Sequence, residues 1–426
     1  MILSVIYSLL ACVGLVTCVL TGAQTKKLKI PFYPFITCFF AILCVISGCL
    51  PMKNVLHALW NDSSVNPVKI LILFLSMTAI SVFLDEAGFF KLTASFALKK
   101  AGKSQTKLFV LLFVTVSVLT VFTSNDIVVL TFTPFICCFC KNAKINPLPY
   151  LLEEFISANT FSMALLIGNP TNIYLALKSG ITFSKYFLAM ILPSLAGGVV
   201  SFLALYFTFK KELSKPVQAE IVEVETEKPM VIIGLIFLIV CTLLLAVSEF
   251  LKLQMWLIAL MGALSLFVII FAYKSIKRQN LTIIKNSAKR IPYVLIPFLL
   301  SMFLLVASLE YNGVTYKIYK FLNKGGVFSY GVCSTISCNL LNNIPMSVLF
   351  GSVLQNGTGL KEVYACIIGS NLGAYLTPIG ALAGIMWMNI LKNYDVKITF
   401  LQFVKFGTIT IVPTLTASLL VLNFVV

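Results

Sequence analysis

The sequence predicts an all-α polytopic membrane protein, and its composition and hydrophobic pattern are the observations behind that prediction. Of the 426 residues, 59% are hydrophobic and 11% are charged, whereas a soluble domain is about 45–50% apolar and about 25% charged. A water-soluble fold of this composition would expose large apolar patches, and a disordered chain would lack these hydrophobic and aromatic residues. The apolar runs are continuous, without the alternation of a membrane β-barrel, so helices are expected to cross the bilayer.

Twelve apolar segments follow one another along the chain. They cover about residues 2–20, 30–50, 68–84, 107–140, 148–179, 186–209, 230–248, 254–273, 292–309, 327–356, 360–391 and 398–422. A transmembrane helix needs about 20 predominantly apolar residues, and polar residues or proline interrupt several of these segments. We therefore predict about ten transmembrane helices plus two re-entrant helical hairpins and two broken helices.

The segment 107–140 is predicted to be the first re-entrant hairpin. It is 34 residues long and carries Ser124, Asn125 and Asp126 at its middle, with lysines on both flanks. Its arms of about 17 and 14 residues would measure roughly 25 and 21 Å as helices, which is short for a hydrocarbon core of about 30 Å. A hairpin that enters from the cytoplasm therefore fits better than two full spans.

Three further segments are interrupted in a similar way. The segment 327–356 bends at Asn342 and Asn343 and is predicted to be a second hairpin, which enters from outside. The segments 148–179 and 360–391 are predicted to be broken helices, because proline removes a donor and clashes with the preceding turn. The residues at the two breaks are Gly168, Asn169, Pro170, Thr171 and Asn172, and Thr377, Pro378 and Gly380. Irregular backbone at membrane depth persists only where it lines a cavity or is buried in protein.

The two halves of the chain, 1–215 and 216–426, repeat one order of elements, in which a hairpin is followed by a broken helix. An offset of 217 residues aligns Asn125 with Asn342, and an offset of 212 aligns Asn159 with Asn371. Because the two hairpins enter from opposite sides, this pattern is an inverted repeat, which is typical of transporters whose site lies near the bilayer midplane.

Basic residues are concentrated in alternate connections between the segments. Of the 32 Lys and Arg residues, 23 fall on one side and nine on the other. The positive-inside rule places the 23 in the cytoplasm and both termini outside, in a multi-pass protein of the cell (plasma) membrane. Basic connections that face an anionic lipid surface account for the net charge of +17, so no nucleic-acid partner is expected.

Short polar side chains collect at the four interruptions and are the predicted substrate-binding and ion-binding residues. A broken helix offers free N–H groups at one half-helix end, which suit the oxygens of oxyanions or hydroxyls. It offers free C=O groups at the other end, which suit cations or protons. Capping of the helix ends is the alternative role. The predicted set is Ser124, Asn125, Asp126, Asn159, Thr160, Gly168, Asn169, Pro170, Thr171, Asn172, Asn342, Asn343, Asn371, Thr377, Pro378 and Gly380.

Asp126 is the acid that this map places deep in an apolar run. A carboxylate there is costly unless it is paired, hydrated or protonated, so we interpret it as a carrier of a proton or cation, with an acidic hairpin cap as the alternative. The remaining acids near segment ends are expected to be solvated at the membrane interface. They are Asp85, Glu86, Glu153, Glu154, Glu249 and Glu310. The sequence indicates no catalytic residues, no metal site and no cofactor, so an enzyme is not expected.

These residues resemble a known family, the ion transporter superfamily, and within it the arsenite/antimonite efflux permeases. Ser124-Asn125-Asp126 followed by Thr133-Pro134 resembles the hairpin motif of those permeases. Gly369-Ser370-Asn371-Leu372-Gly373, with Thr377-Pro378-Ile379-Gly380 and Trp387, resembles their second-repeat motif. Gly168-Asn169-Pro170-Thr171-Asn172 departs from that pattern and is closer to the dicarboxylate branch. The resemblance implies a scaffold part, a mobile transport part and alternating access.

The function that follows is secondary active transport of a small solute with a coupling cation, either H⁺ or Na⁺. Proton-coupled efflux of arsenite or antimonite is favoured, because arsenous acid is uncharged near neutral pH and the hairpin tips and broken-helix junctions contain no Lys or Arg to bind an anion. A Na⁺-coupled transporter of dicarboxylate, citrate or sulfate and a Na⁺/H⁺ antiporter are the alternatives. A passive channel would not need the repeat, and a homodimer is an open alternative to a monomer.

Overall fold

The computed structural model describes residues 1–21, 23–25, 31–60, 66–216 and 226–426. This part of the chain is helical and has no β-strand, apart from two isolated β-bridges. The helices are α1 (Ile2–Thr21), α2 (Tyr33–Ile46), α3 (Met52–Trp60), α4 (Pro67–Glu86), α5 (Phe89–Ala101), α6 (Gln105–Phe122), α7 (Asn125–Ala143), α8 (Leu148–Phe161), α9 (Pro170–Lys178), α10 (Phe183–Leu213), α11 (Lys228–Ala246), α12 (Met255–Ile276), α13 (Thr282–Arg290), α14 (Leu295–Tyr311), α15 (Val314–Leu322), α16 (Gly326–Leu341), α17 (Asn343–Leu354), α18 (Leu360–Leu372), α19 (Leu382–Asn393) and α20 (Phe400–Val425).

Eight helical stretches in the described residues are long and apolar enough to cross a membrane. They are Pro67–Glu86, Gln105–Phe122, Asn125–Ala143, Phe183–Leu213, Lys228–Ala246, Met255–Ile276, Thr282–Tyr311 and Phe400–Val425. Shorter apolar helices cover Ile2–Cys18, Tyr33–Ile46 and Asn343–Leu354. The prediction of an all-α polytopic membrane protein is therefore confirmed.

Both predicted hairpins are present in the structure. The chain turns between α6 and α7 at Thr123 and Ser124, and between α16 and α17 at Asn342. The first hairpin has arms of 18 and 19 residues, which are longer than the predicted 17 and 14. Its tip packs against the far end of α8, because Asn125 contacts Asn159, which is roughly 16 Å along α8 from Leu148.

The two hairpins open toward opposite faces of the molecule. At the base of the first hairpin, the Thr106 hydroxyl donates to the Leu213 carbonyl oxygen at 2.9 Å. At the base of the second, the Gln355 side-chain amide donates to the Lys178 carbonyl oxygen at 2.9 Å. Between these two contacts runs α10, a helix of 31 residues that is about 46 Å long. The contacts therefore mark opposite faces, and the repeat has inverted topology.

Both chain termini lie on the face where the second hairpin opens. The Lys361 ammonium donates to the Asn423 carbonyl oxygen at 3.1 Å, and the N-terminal ammonium of Met1 donates to Asn312 Oδ1 at 2.8 Å. Asn312 lies just before α15, which packs on α17. The assignment of this face to the outside depends on the lysine count and stays a prediction. Three of the counted lysines, Lys26, Lys27 and Lys29, are outside the described residues, and the division of the chain at 215/216 also stays a prediction.

The resemblance predicts a scaffold part and a transport part, and contacts between the two halves of the chain occur among the helices that we assign to each. In the scaffold part, α2 packs on α14 of the other half and α12 packs on α4. In the transport part, which comprises α6–α9 and α16–α19, α9 packs on α17 and α7 packs on α19. In both the scaffold part and the transport part, helices from the first half of the sequence therefore pack against helices from the second half.

Four short helices, α3, α5, α13 and α15, lie between the predicted apolar segments. Their lengths are 9, 13, 9 and 9 residues. The helices α5 and α15 each follow a glycine with positive φ, Gly88 at 89° and Gly313 at 72°, a conformation that glycine adopts at little cost. Each of these helices carries a polar face, so none forms a continuous apolar run in the sequence.

Candidate functional site

The first broken helix is interrupted at the predicted place. After α8 ends at Phe161, a 3₁₀ turn at Leu166–Gly168 leads to Pro170, the first residue of α9. Proline is well suited to that position, because its missing N–H has no partner in a first turn anyway. The Asn169 side chain caps α9 by accepting from the Thr171 N–H at 3.1 Å. A Cβ at Gly168 would collide with the Ser162 carbonyl oxygen, so glycine is required there.

Asn371 of α18 connects the two broken helices. Its Nδ2 donates to Asn172 Oδ1 at 2.7 Å. Its Oδ1 accepts from the Ser162 hydroxyl at 2.7 Å and from Asn169 Nδ2 at 3.2 Å. All four side chains are buried, so the breaks predicted from separate halves of the sequence meet at one point.

The polar groups at this crossing satisfy one another. Thr171 Oγ1 lies 3.1 Å from Ser370 Oγ, and Asn172 Nδ2 donates to the Ser162 carbonyl oxygen at 2.8 Å. Thr160, near the end of α8, donates back to the Ile156 carbonyl oxygen at 2.8 Å. Buried polar groups need such partners, so these contacts support capping and bridging roles. A role in lining the substrate path stays a prediction for these residues.

The tip of the first hairpin contacts the end of α8. Asn125 Nδ2 donates to Asn159 Oδ1 at 3.0 Å, and Asn159 Nδ2 donates to the Phe155 carbonyl oxygen at 2.8 Å. The Asn125 side-chain oxygen is buried and has no partner among the described residues. Ser124 is the buried N-cap of α7 and makes no side-chain cap bond there. The first tip thus presents one free acceptor.

The tip of the second hairpin contacts the second break. Asn342, at a φ of 78°, donates from Nδ2 to the Ile379 carbonyl oxygen at 3.0 Å. The Asn343 N–H donates to the Gly380 carbonyl oxygen at 3.0 Å. The Asn343 side-chain oxygen is buried without a partner in the described part of the chain. Asn343 is the first residue of α17, as Asn125 is the first residue of α7. In the structure Asn125 therefore corresponds to Asn343, one residue beyond the Asn342 with which the sequence offset of 217 aligned it.

Asn339, which the sequence analysis did not single out, organises the second break. Its Nδ2 donates to the Gly373 carbonyl oxygen at 3.0 Å, and its Oδ1 accepts from the Thr377 hydroxyl at 2.6 Å. A Cβ on Gly380 would lie 2.6 Å from the Gly373 carbonyl oxygen. Pro378 is buried in the turn between Thr377 and Gly380. The sequence signal for Asn339 is an amide side chain inside a hairpin arm, α16, that carries no charged residue.

Asp126 lies beside the first tip and is partly exposed. Its carboxylate is within electrostatic range of the Tyr33 side chain, which belongs to α2 in the scaffold part. The ion pairs found in the described residues involve other acids. The only charged residue at the hairpin tips therefore lies where the transport part faces the scaffold part.

The prediction that Glu153 and Glu154 are solvated at the membrane interface is wrong. Both are 0% exposed, so Asp126 is not the only acid deep in the molecule. Asp85 is also buried, at 6% exposure, and pairs with Arg290 at 2.5 Å. The prediction assumed that an acid near the end of an apolar segment lies close to water. It failed for α8 because helices from both halves pack around that end.

A family model and several known proteins match this chain over most of its length. The model of a family described as "CitMHS: Citrate transporter" matches residues 25–360. The "Arsenical pump membrane protein" of Escherichia coli is 26% identical over 402 residues, which cover 89% of this chain and 90% of that protein. The "Putative arsenical pump membrane protein" of Bacillus subtilis is 24% identical over 411 residues, which cover 88% and 90% of the two chains.

Two solved structures share the fold. The YdaH transporter of Alcanivorax borkumensis, described as having an unusual topology, aligns with a TM-score of 0.58 at 14% identity, over 99% of this chain and 98% of that chain. MtrF of Neisseria gonorrhoeae, described within a class of antimetabolite efflux pumps, aligns with a TM-score of 0.56 at 12% identity, over 98% and 94%. At these identities the comparison concerns the fold alone.

Proposed function

The chain belongs to the citrate transporter (CitMHS) family of membrane transporters, and from that premise we propose that it exports arsenite or antimonite in exchange for protons. The observation that carries this proposal is the pair of free acceptors at the hairpin tips. The side-chain oxygens of Asn125 and Asn343 are buried, and neither has a partner among the described residues. A buried acceptor without a donor is costly, so a ligand that supplies O–H donors is favoured.

A neutral trihydroxide such as arsenous acid fits these acceptors. Its hydroxyl groups can donate hydrogen bonds to acceptors such as these Asn oxygens, and it enters the site without desolvating a charge. A dicarboxylate or citrate would bring negative charge next to Asp126 and would need bound cations to offset the repulsion. The arsenical pump proteins that align with this chain over about nine tenths of its length support the same choice.

Alternating access would use the contact between the transport and scaffold parts. Where α9 meets α14, Tyr174 and Phe303 pack with ring centroids 5.0 Å apart, and Phe74 of α4 lines the same apolar pocket. An apolar interface of this kind can slide with little loss of hydrogen bonding. Asp126, which lies within electrostatic range of Tyr33 of α2, is the group that we assign to carry the coupling proton across.

Transport in everted membrane vesicles tests the proposal. Vesicles that contain the protein are expected to accumulate arsenite or antimonite when the lumen is acidified, without Na⁺. Alanine at Thr171, Asn172 or Thr377 should weaken transport more than alanine at Cys137 or Cys138 of α7, of which the exposed Cys138 is the control.

The second candidate is Na⁺-coupled transport of an anion, and it is favoured by the family model, which is described by citrate. The same vesicles distinguish the two functions. Uptake of citrate, succinate or sulfate that requires Na⁺, with no movement of arsenite, would overturn the export proposal. Ser124, Asn125 and Asp126 would then be reassigned to a cation site.

A further inference from the structure

Two adjacent acids, Glu153 and Glu154, lie inside the transport part without a basic partner. Both side chains are 0% exposed, and none of the ion pairs in the described residues includes either of them. A buried carboxylate without a cation is strongly disfavoured and takes up a proton instead. The function proposed above makes no use of either acid.

The contacts of Glu154 suit the protonated acid. Thr133 Oγ1 lies 2.6 Å from the Val129 carbonyl oxygen and 3.2 Å from each Glu154 oxygen. A hydroxyl has one hydrogen, and the shorter contact takes it, so Thr133 offers a lone pair to Glu154. From α19, the Trp387 indole N–H donates to Glu154 Oε2 at 3.3 Å. A proton on Oε1 would therefore find an acceptor, while Oε2 keeps its donor.

Glu153 has no such partners. Neither of its carboxyl oxygens is hydrogen-bonded within the described part of the chain. Tyr150, one turn earlier on the same face, uses its hydroxyl to donate to Gln105 Oε1 at 2.9 Å. Adjacent helix positions point about 100° apart, so the two glutamates do not bond each other, yet each carboxyl lies in the electrostatic field of the other.

Within the described part of the chain, no basic side chain pairs with either glutamate. The titratable and polar groups that face this region are Gln105 of α6, Thr133, Cys137 and Cys140 of α7, Tyr150 of α8, Glu212 of α10 and Trp387 of α19. Two neighbouring acids in such surroundings cannot both be ionised. At least one proton is therefore bound here.

The glutamates lie on the path from the hairpin tip to the face where the first hairpin opens. Thr133, which contacts Glu154, follows Asp126 by seven residues of α7, or about 10 Å. In the other direction, α8 leads from Glu153 toward Tyr150 and Gln105 at the base of the hairpin. The acids thus stand between the proposed proton carrier and that face.

We infer that Glu153 and Glu154 form a proton-binding site through which the coupling proton passes between Asp126 and the face where the first hairpin opens. Because the two sites are about 10 Å apart along α7, the transfer proceeds through a chain of waters. The O–H bond of the Asp126 acid breaks as its proton passes to the first water, and the last water gives a proton to a glutamate carboxylate, where a new O–H bond forms. The passage of the coupling proton rests on the proposed function, whereas proton binding at the two glutamates does not.

Infrared difference spectroscopy of the purified protein in liposomes tests the binding. A pH change should produce the band of a protonated buried carboxyl group, and the Glu153→Gln/Glu154→Gln variant should lose part of it. Glu310→Gln removes an exposed acid of α14 and should leave the band unchanged. An identical spectrum in the double variant and the wild type would overturn the proton-binding site.

Transport by the single variants tests the passage of the coupling proton. Glutamine at position 154 keeps the shape and hydrogen bonds of the neutral acid, so Glu154→Gln and Glu153→Gln should both insert. Accumulation driven by a pH gradient should fall by at least about tenfold, since a positioned proton-transfer group typically contributes about 10²–10⁴-fold. Counterflow of the same solute without a gradient should stay within about twofold, since it needs no net proton transfer.

Each result separates this inference from the proposed function. An equal loss of driven transport and counterflow would assign the glutamates a structural role and overturn the passage of the proton. Unchanged driven transport would do so as well. If the wild type transports citrate instead of arsenite, the proposed substrate is wrong, while the infrared band and the citrate counterflow still decide the proton site.

Discussion

Asp126 is the residue on which the pH dependence of transport is expected to rest. Asp126→Asn keeps the size of the side chain and removes the titrating group. The variant should reach the membrane at wild-type levels, and its transport rate should become independent of pH, because no proton is taken up or released at the tip. Rates in everted vesicles over a series of external pH values measure this directly. Accumulation by the Asn variant that still follows the pH gradient would exclude Asp126 as the carrier.

Asn371 is expected to contribute to stability through the contacts that it makes across the two broken helices. Asn371→Ala leaves Asn172 Oδ1, Asn169 Nδ2 and the Ser162 hydroxyl with fewer partners in a buried place. Each unsatisfied buried group costs about 1–3 kcal/mol, so the apparent Tm in detergent should fall by about 3–6 °C.

Asn356→Ala is the matched control for Asn371→Ala. Asn356 lies half-buried just after α17, and its side chain donates only to the Ser352 and Val353 carbonyl oxygens at 3.1 Å. A thermal scan that shows equal losses for the two variants would mean that the connection between the broken helices contributes no more than an ordinary local cap.

At the scale of elements, the second broken helix and the second hairpin depend on close backbone approach at Gly380. Gly380→Ala would place a Cβ 2.6 Å from the Gly373 carbonyl oxygen and 3.0 Å from Asn339 Oδ1. The break must shift, and the hairpin tip moves with it because the Asn343 N–H donates to the Gly380 carbonyl oxygen. Transport is expected to fall at least about tenfold, as displacements near 1 Å at a site commonly cost more, while the protein stays inserted.

Gly359→Ala is the control for Gly380→Ala. Its Cβ would meet only the Glu362 carboxylate, at 2.8 Å, and that flexible side chain can move away. The two variants are compared by solute uptake per inserted molecule. Equal activity of both would show that the tip tolerates a displaced break.

At the scale of the whole molecule, the orientation in the membrane can be tested with labels on the two faces. Lys210, Lys285 and Lys320 are exposed. In a background without reactive thiols, cysteine at 210 or 285 should react with an impermeant reagent only from the cytoplasmic side, and cysteine at 320 only from outside. The reversed pattern would invert the orientation and would place both termini inside, since the termini share the face of the second hairpin base.

Local sequence signals determined which segments are helices and where four of them are interrupted. Proline at 170 and 378, glycine at 168 and 380 and the polar tips act on their own turns of backbone, and such local effects are the same in any tertiary context. The order of hairpin and broken helix could therefore be predicted from each half of the sequence separately, together with the inverted repeat.

Only the tertiary structure decided which polar groups satisfy one another and which acids are buried. Asn371 pairs with Asn172 across 199 residues, and no local pattern specifies a partner at that distance. In the sequence, Glu153 and Glu154 lie near the end of an apolar segment, yet in the structure helices of both halves surround them. In a membrane protein, lipid-facing and protein-facing positions are equally apolar, so composition along one helix does not reveal its neighbours. Burial of a charge is a property of those neighbours, and packing alone determines it.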